Sequence, residues 1–254
     1  MYNKFLVLLF NIINFLGYPK EIDCQIETRP SLQEILKHLK DTIIIAFSQA
    51  SLRRLILESM GFEGFFKASK DYLQPILMAA ALPLSAIVFS GIQLNDEQRS
   101  VILIGPVFFI LFLLSAFASR NAYRFVAHTG HEDQTAKKLW GFTSALFLLL
   151  LPSMFFQIHW AIITGFAILY VLQNIWRPVL ISRFDAHSDE AKGATVLSIE
   201  SQAKSLSTMI IAPVLGLSID VMRDYSIGVS EFWPVALLGI IIAVGFFITA
   251  RQGK

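Results

Sequence analysis

Glu63, Lys67 and Asp71 follow one another at i, i+4 and i+8, a spacing that sets alternating charges along one helix face. In water such pairs contribute only a few tenths of a kcal/mol. Inside a bilayer a charge at mid-span costs roughly 2.5–3.5 kcal/mol on insertion scales, so mutually compensating charges are what tolerates burial. With Glu58 and Gln74 the three make a face suited to a polar solute or a proton. The plainer reading is a helix at the membrane edge whose charges are solvated. Glu200 and Lys204 repeat the spacing, and Ser198, Ser201, Gln202, Ser205 and Thr208 make one side of their segment too polar for lipid. That side faces protein or an aqueous path. Gln173, Asn174 and Arg177 precede Pro178. Arg177 can bind a carboxylate, close a cytoplasmic gate or extend to the headgroups. His128, His131 and Glu132 offer metal-ligand chemistry, but no second cluster completes a site, and a solvated loop is the expectation. The chain contains no HExxH, GxSxG or phosphate-loop motif, so no enzyme is expected and no cofactor.

The elements that position these residues follow from composition. The 254 residues are 55% hydrophobic and 16% charged, against about 25% charged in an average soluble domain. The excess is concentrated in long apolar blocks, among them Val101–Ala118, Leu139–Phe156, Ile158–Trp176 and Phe232–Ala250. About 20 apolar helical residues cross a hydrocarbon core. Crossing helices are therefore expected near Glu97–Ala118, Lys138–Phe156, Ile158–Ile181, Ala194–Ile219 and Phe232–Ala250. For the first crossing, the apolar Pro75–Ile92 and the charged Leu52–Leu77 compete. The charged segment, continuing past Pro75, is favoured because a cavity-lining helix tolerates charges that a lipid-facing one does not. Pro75 and Pro83 should kink whatever helix holds them.

Ahead of these, Met1–Gly17 reads as an uncleaved helix, since no small-residue cleavage site follows it. Ser31-Leu32-Gln33-Glu34 is a capping-box signature. The helix it opens, Leu32 to Phe47, carries Leu32, Ile35, Leu36, Leu39 and Ile43 on one stripe, as an interfacial helix does. The single cysteine, Cys24, excludes an internal disulfide. A net charge of +2 gives no reason to expect a nucleic-acid partner.

Basic residues then orient the spans. Lys20, Arg29, Lys37, Lys40, Arg53 and Arg54 fall on one side, joined by Arg120, Arg124, Lys137 and Lys138, by Arg177, Arg183 and Lys192, and by Arg251 and Lys254. The other side holds only Arg99 and Arg223. The positive-inside rule makes the first side cytoplasmic, with six crossings and a cytoplasmic C-terminus.

The segments Gln173-Asn174-Ile175-Trp176-Arg177-Pro178, Ala194-Thr195-Val196-Leu197-Ser198 and Ala212-Pro213-Val214-Leu215-Gly216-Leu217-Ser218-Ile219-Asp220 resemble helices ten and eleven of bacterial major facilitator superfamily transporters. In that family an Arg-Pro ends helix ten, and a basic residue with Ala-Thr-hydrophobic-Ser opens helix eleven. Here Lys192-Gly193 displaces the basic residue by one. Arg53-Arg54 and Asp71-Tyr72-Leu73-Gln74-Pro75 look like the start and outer part of helix seven. Ala118-Ser119-Arg120-Asn121 stands where the family carries a degenerate copy of a loop motif.

The resemblance implies an all-α integral membrane fold, the C-terminal six-helix half of that transporter architecture. It divides the chain into residues 1–17 (end of helix six), 18–50 (cytoplasmic linker with an amphipathic helix), 51–250 (six-helix bundle) and 251–254 (cytoplasmic tail). It implies secondary active transport of a small organic solute across the inner, cytoplasmic membrane by alternating access. Proton coupling is preferred because buried carboxylates are present. Glu58, Glu63, Lys67, Asp71, Gln74, Gln173, Asn174, Glu200, Gln202 and Lys204 would then line the cavity, and Arg120 and Arg177 would form a cytoplasmic gate. The expected partners are the bilayer, the solute, protons and an N-terminal six-helix half. Three readings stay open at this point: a part of a twelve-helix transporter, a half-transporter that pairs with itself or another half, and a non-transporting scaffold or remnant.

Overall fold

The computed structural model describes residues 37, 40, 41, 44, 47–88, 95–187, 190–225 and 230–250. The expected helix at Met1–Gly17, most of the Leu32–Phe47 helix and the tail at 251–254 lie outside the described residues. The fold and site below belong to the compact unit that covers residues 41–254.

Among the described residues the regular structure of this unit is all helix, with no strand. It opens with a continuous helical run over 50–88, made of α1 (Ala50–Ser59), a π turn (Met60–Gly64), α2 (Phe65–Ser69), a 3-10 turn (Lys70–Tyr72) and α3 (Leu73–Val88). Both segments competing for the first crossing therefore share one run as far as Val88, where the described residues stop. The 3-10 turn lies just before Pro75, whose ring crowds the carbonyl four residues back and which donates no amide. There follow α4 (Asp96–Thr129), α5 (Glu132–Phe155), α6 (His159–His187), α7 (Glu190–Tyr225) and α8 (Trp233–Thr249).

Most of these helices outrun the apolar blocks that announced them. α4 runs on to Thr129 instead of ending near Ala118, α5 begins at Glu132 instead of Lys138, and α6 ends at His187 instead of Ile181. α7 covers Glu190–Tyr225, where Ala194–Ile219 was expected. Hydropathy marks only the stretch that lipid requires to be apolar. Backbone hydrogen bonding continues into polar flanks until a local stop.

The α4–α5 corner is such a stop. Gly130 takes φ 90° and ψ −43°, a positive-φ conformation that glycine reaches without steric cost. Its amide still donates to the Val126 carbonyl at 3.0 Å. Across the corner the Thr129 and Thr135 hydroxyls are hydrogen-bonded to each other, and the Thr135 hydroxyl donates to the His131 carbonyl at 2.9 Å.

α5 packs against α8 and α6, α4 against α6 and α3, and the π turn and α2 against α7. An aromatic stack ties four of these elements together. Phe62 in the π turn lies over Trp176 of α6 at 4.8 Å between ring centroids and meets the edge of Trp140 of α5 at 5.5 Å. Trp140 in turn stacks on Phe246 of α8 at 4.7 Å. Aromatic pairs of these geometries stabilise by about 0.5–1.5 kcal/mol beyond the area they bury.

Four helical segments, Val101–Thr129, Glu132–Phe155, His159–His187 and Gly193–Tyr225, are long and apolar enough to cross a membrane; Trp233–Thr249 is apolar and shorter. Only 17% of the most apolar window of Val101–Thr129 is buried within the protein. Phe109, Phe112, Phe117, Leu149, Leu217 and Ile248 are each 65–74% exposed. So many large apolar side chains on the outside are costly in water and favourable against lipid.

Candidate functional site

The π turn is where the site begins. A π turn carries i→i+5 bonds and disturbs the regular ladder around it. Here two of its carbonyls receive hydroxyls from the facing helix: Ser207 donates to Met60 at 2.9 Å and Thr208 to Gly64 at 3.1 Å. The approach is close because residue 64 has no side chain. A Cβ there would stand 2.7 Å from the Ser207 hydroxyl and 3.1 Å from the Lys204 carbonyl.

This contact brings together charges from three elements. Lys204 Nζ lies 2.8 Å from Glu63 Oε2 and 3.6 Å from Glu200 Oε1. Arg177 Nη1, from α6, lies 3.2 Å from Glu63 Oε2 and 2.9 Å from Glu200 Oε1. The Ser59 hydroxyl also donates to Glu200 Oε1. Two carboxylates thus meet two cations, and the four charges cancel. Glu200 is fully buried and Glu63 is 5% exposed. The bonding on Glu200 is lopsided: Oε1 collects every partner, while the buried Oε2 has none among the described residues. An unpaired buried carboxylate oxygen is costly.

The network stands between two cavities. One, of about 370 Å³, has Glu63, Lys67 and Lys204 among its lining residues. The other, of about 530 Å³, is lined by Arg177 and Asp185 among others. Gln173 and Asn174 line both. The Asn174 side-chain amide donates to the Tyr170 carbonyl at 2.8 Å.

A second ionic cluster involves Glu58, which is 2% exposed. Arg183 Nη1 reaches Glu58 Oε2 at 2.6 Å, its Nε reaches Asp133 Oδ1 at 2.8 Å, and Arg54 Nε reaches Glu58 Oε1 at 2.7 Å. Arg54 Nη1 also donates to the Thr249 carbonyl at 2.5 Å, so the cluster fastens α1, α5, α6 and the end of α8.

The sequence candidates therefore separate. Glu63, Arg177, Glu200 and Lys204 meet in one network, and Lys67, Gln173 and Asn174 line cavities beside it. Glu58 belongs to the second cluster. Asp71, Gln74, Gln202 and Arg120 are exposed, and none of them lines either cavity. The charge ladder expected along Glu63, Lys67 and Asp71 does not form: Glu63 is buried, the other two are exposed, and no ion pair joins them. The π turn and the 3-10 turn break the 3.6-residue period on which that face depended. Glu63 finds its partners on other helices instead. Sequence spacing gave no sign of Asp133 or Ser59, whose partners lie 50 and 141 residues away. Among the described residues no group of three or more potential metal ligands converges.

Comparison of the chain with protein-family models, with curated proteins and with solved structures returned no match.

Proposed function

We propose that the chain is the C-terminal six-helix half of a major-facilitator-type transporter in the inner membrane, C-terminus cytoplasmic, and that it carries a small organic solute with proton coupling. The observation that carries this reading is the Glu63–Arg177–Glu200–Lys204 network, neutral in sum, with both carboxylates buried and with Glu63, Lys204 and Arg177 lining two neighbouring cavities. Ionisable groups within membrane-crossing bundles mark solute and proton paths as a rule. A proton arriving on Glu200 Oε2 would cancel the carboxylate charge that holds Arg177 and Lys204. Both cations would then rest on Glu63 alone, and the tie from α7 to α6 would weaken. A solute gaining the released contacts would couple its own binding to that proton. Alternating access would follow as this bundle rocks against an apposed one. The exposed Ser198, Gln202 and Ser205 on α7 favour such an apposed bundle over bare lipid, because polar side chains in hydrocarbon lack partners.

The test is solute-driven proton movement in vesicles loaded with a pH-sensitive dye and containing the purified protein. Expected is an acidification or alkalinisation on adding a transported solute, abolished by Glu200→Gln. A folded protein that moves no protons with any solute, alone or with a co-expressed partner half, would overturn the reading in favour of a scaffold.

A further inference from the structure

We propose that the 370 Å³ cavity beside the network is a binding site for an organic anion with an aromatic or other flat apolar body. The inference rests on the transport reading above and adds the chemical class of the solute. Three observations point to it. First, the cations on the wall outnumber the carboxylates. Glu63 is the acidic residue lining the cavity, and its charge is already engaged by Lys204 at 2.8 Å and Arg177 at 3.2 Å. Lys67 and Lys70 line the same wall and form no ion pair with any described residue, so their positive charge is available to a ligand. Second, Ser115 of α4 is among the residues that line this cavity. The residue is 9% exposed, and its hydroxyl oxygen is buried with no hydrogen-bond partner among the described residues. Buried hydroxyls ordinarily find a partner, and a rotamer change that turns this one into the cavity would let an oxyanion accept from it. Third, Phe66, Phe112 and Tyr170 supply apolar walls, with Phe66 and Tyr170 already edge to face at 5.1 Å. Pockets for small organic ligands start at about 300 Å³ and pair apolar walls with a few placed polar groups. The combination of two unpaired ammonium groups, one unpaired hydroxyl donor and aromatic walls recognises an aromatic carboxylate, and it disfavours a cation of the same shape.

Lys67 and Lys70 can equally attract the phosphate of an anionic lipid, since both ligands present an oxyanion. The half-enclosed aromatic wall favours the free solute, and the experiment separates the two.

Equilibrium dialysis of the purified full chain in a zwitterionic detergent, against naphthoate, naphthylmethylamine and naphthalenemethanol, holds the ring constant and varies the charge. Naphthoate should bind at least tenfold more tightly than the other two. Lys67→Gln and Lys70→Gln should each weaken naphthoate several-fold and leave naphthalenemethanol unchanged. Ser115→Ala should weaken naphthoate while leaving the thermal unfolding midpoint in place. Equal binding of the three probes, preference for the amine, or no naphthoate binding up to millimolar concentration overturns the proposal. Complete displacement of naphthoate by phosphatidylglycerol but not by phosphatidylcholine assigns the cavity to a lipid headgroup and overturns it as well. Because binding is read without transport, retained naphthoate binding in a protein that moves no solute sinks the transport reading and spares this one.

Discussion

Lys204 of α7 and Glu63 of the π turn are joined at 2.8 Å across 141 residues of chain, and no stronger tie holds the wide turn to the helix it faces. Both are largely buried, with Lys204 18% and Glu63 6% exposed at the side chain. Removing one member of a buried pair leaves the other uncompensated and costs about 3–5 kcal/mol. Glu63→Ala should therefore lower stability in detergent by a few kcal/mol. The double variant Glu63→Ala with Lys204→Ala should lose less than the sum of the two single losses. A thermal-unfolding double-mutant cycle reads the coupling; additive losses would show that the pair is not coupled.

At Gly64 the same contact is tested sterically. Ala there would press its Cβ against the Ser207 hydroxyl and the Lys204 carbonyl, and overpacking of this kind costs about 1–3 kcal/mol. Gly105→Ala, where a Cβ meets nothing within 4 Å, is the control. Its unfolding midpoint should match or exceed that of the unaltered protein.

Arg183 holds two carboxylates of different burial, and their losses should differ. Asp133 is 46% exposed at the side chain and Glu58 only 2%. Asp133→Ala should cost about 1 kcal/mol or less, as exposed ion pairs do. Glu58→Ala should cost about 3 kcal/mol or more, because it leaves the buried Arg183 with only the exposed Asp133 and Arg54 with no carboxylate among the described residues. Chemical denaturation of the two variants side by side decides it. Equal losses would mean that Glu58 is better solvated than its burial implies.

Proton coupling should depend on Glu200 and not on every acid of the first helical run. Glu200→Gln should abolish solute-linked proton movement, whereas Asp71→Asn, at an exposed position outside the network, should leave it within about twofold. The vesicle dye assay measures both. Loss in Asp71→Asn with retention in Glu200→Gln would move the proton path to the other end of the run.

Orientation is testable at the two corners flanking α5. With Cys24 replaced by Ser, His131→Cys and Phe156→Cys place single thiols at opposite ends of that helix. The basic-residue bias predicts that an impermeant maleimide labels Cys only from the cytoplasmic side in the first variant and only from outside in the second. The reverse pattern would invert the topology.

How much was legible in the chain differs by element. The apolar block at Val101–Ala118 located α4, since lipid-facing stretches announce themselves by composition alone. The end of α4 did not, because Thr129 is reached through polar residues and the stop is a glycine conformation. Glu200 and Lys204 were readable as a pair because they share one regular helix, and they lie 3.6 Å apart. Glu63 and Lys67 have the same spacing and no such contact, because a π turn intervenes and hydrophobic period cannot register one extra residue. The Arg183–Asp133 and Arg183–Glu58 pairs were invisible for another reason. Their partners meet only after the helices dock, and no local pattern records that.

The π turn finally bears on what kinds of genetic change this chain can absorb. In an uninterrupted α-helix, residues five apart point about 140° away from each other; the i→i+5 geometry of the wide turn brings them back toward one side. That is why Glu58 and Glu63 both reach arginines of α6. Within Met60–Gly64, deleting Gly61 or Gly64 would erase no charge and no large apolar side chain, and would shorten the wide turn toward a regular helix. It would also rotate one acid out of phase with the other, leaving Arg177 with Glu200 alone or Arg183 with Asp133 alone. Point substitutions across most of this run should therefore be milder than a single in-frame codon loss within those five positions.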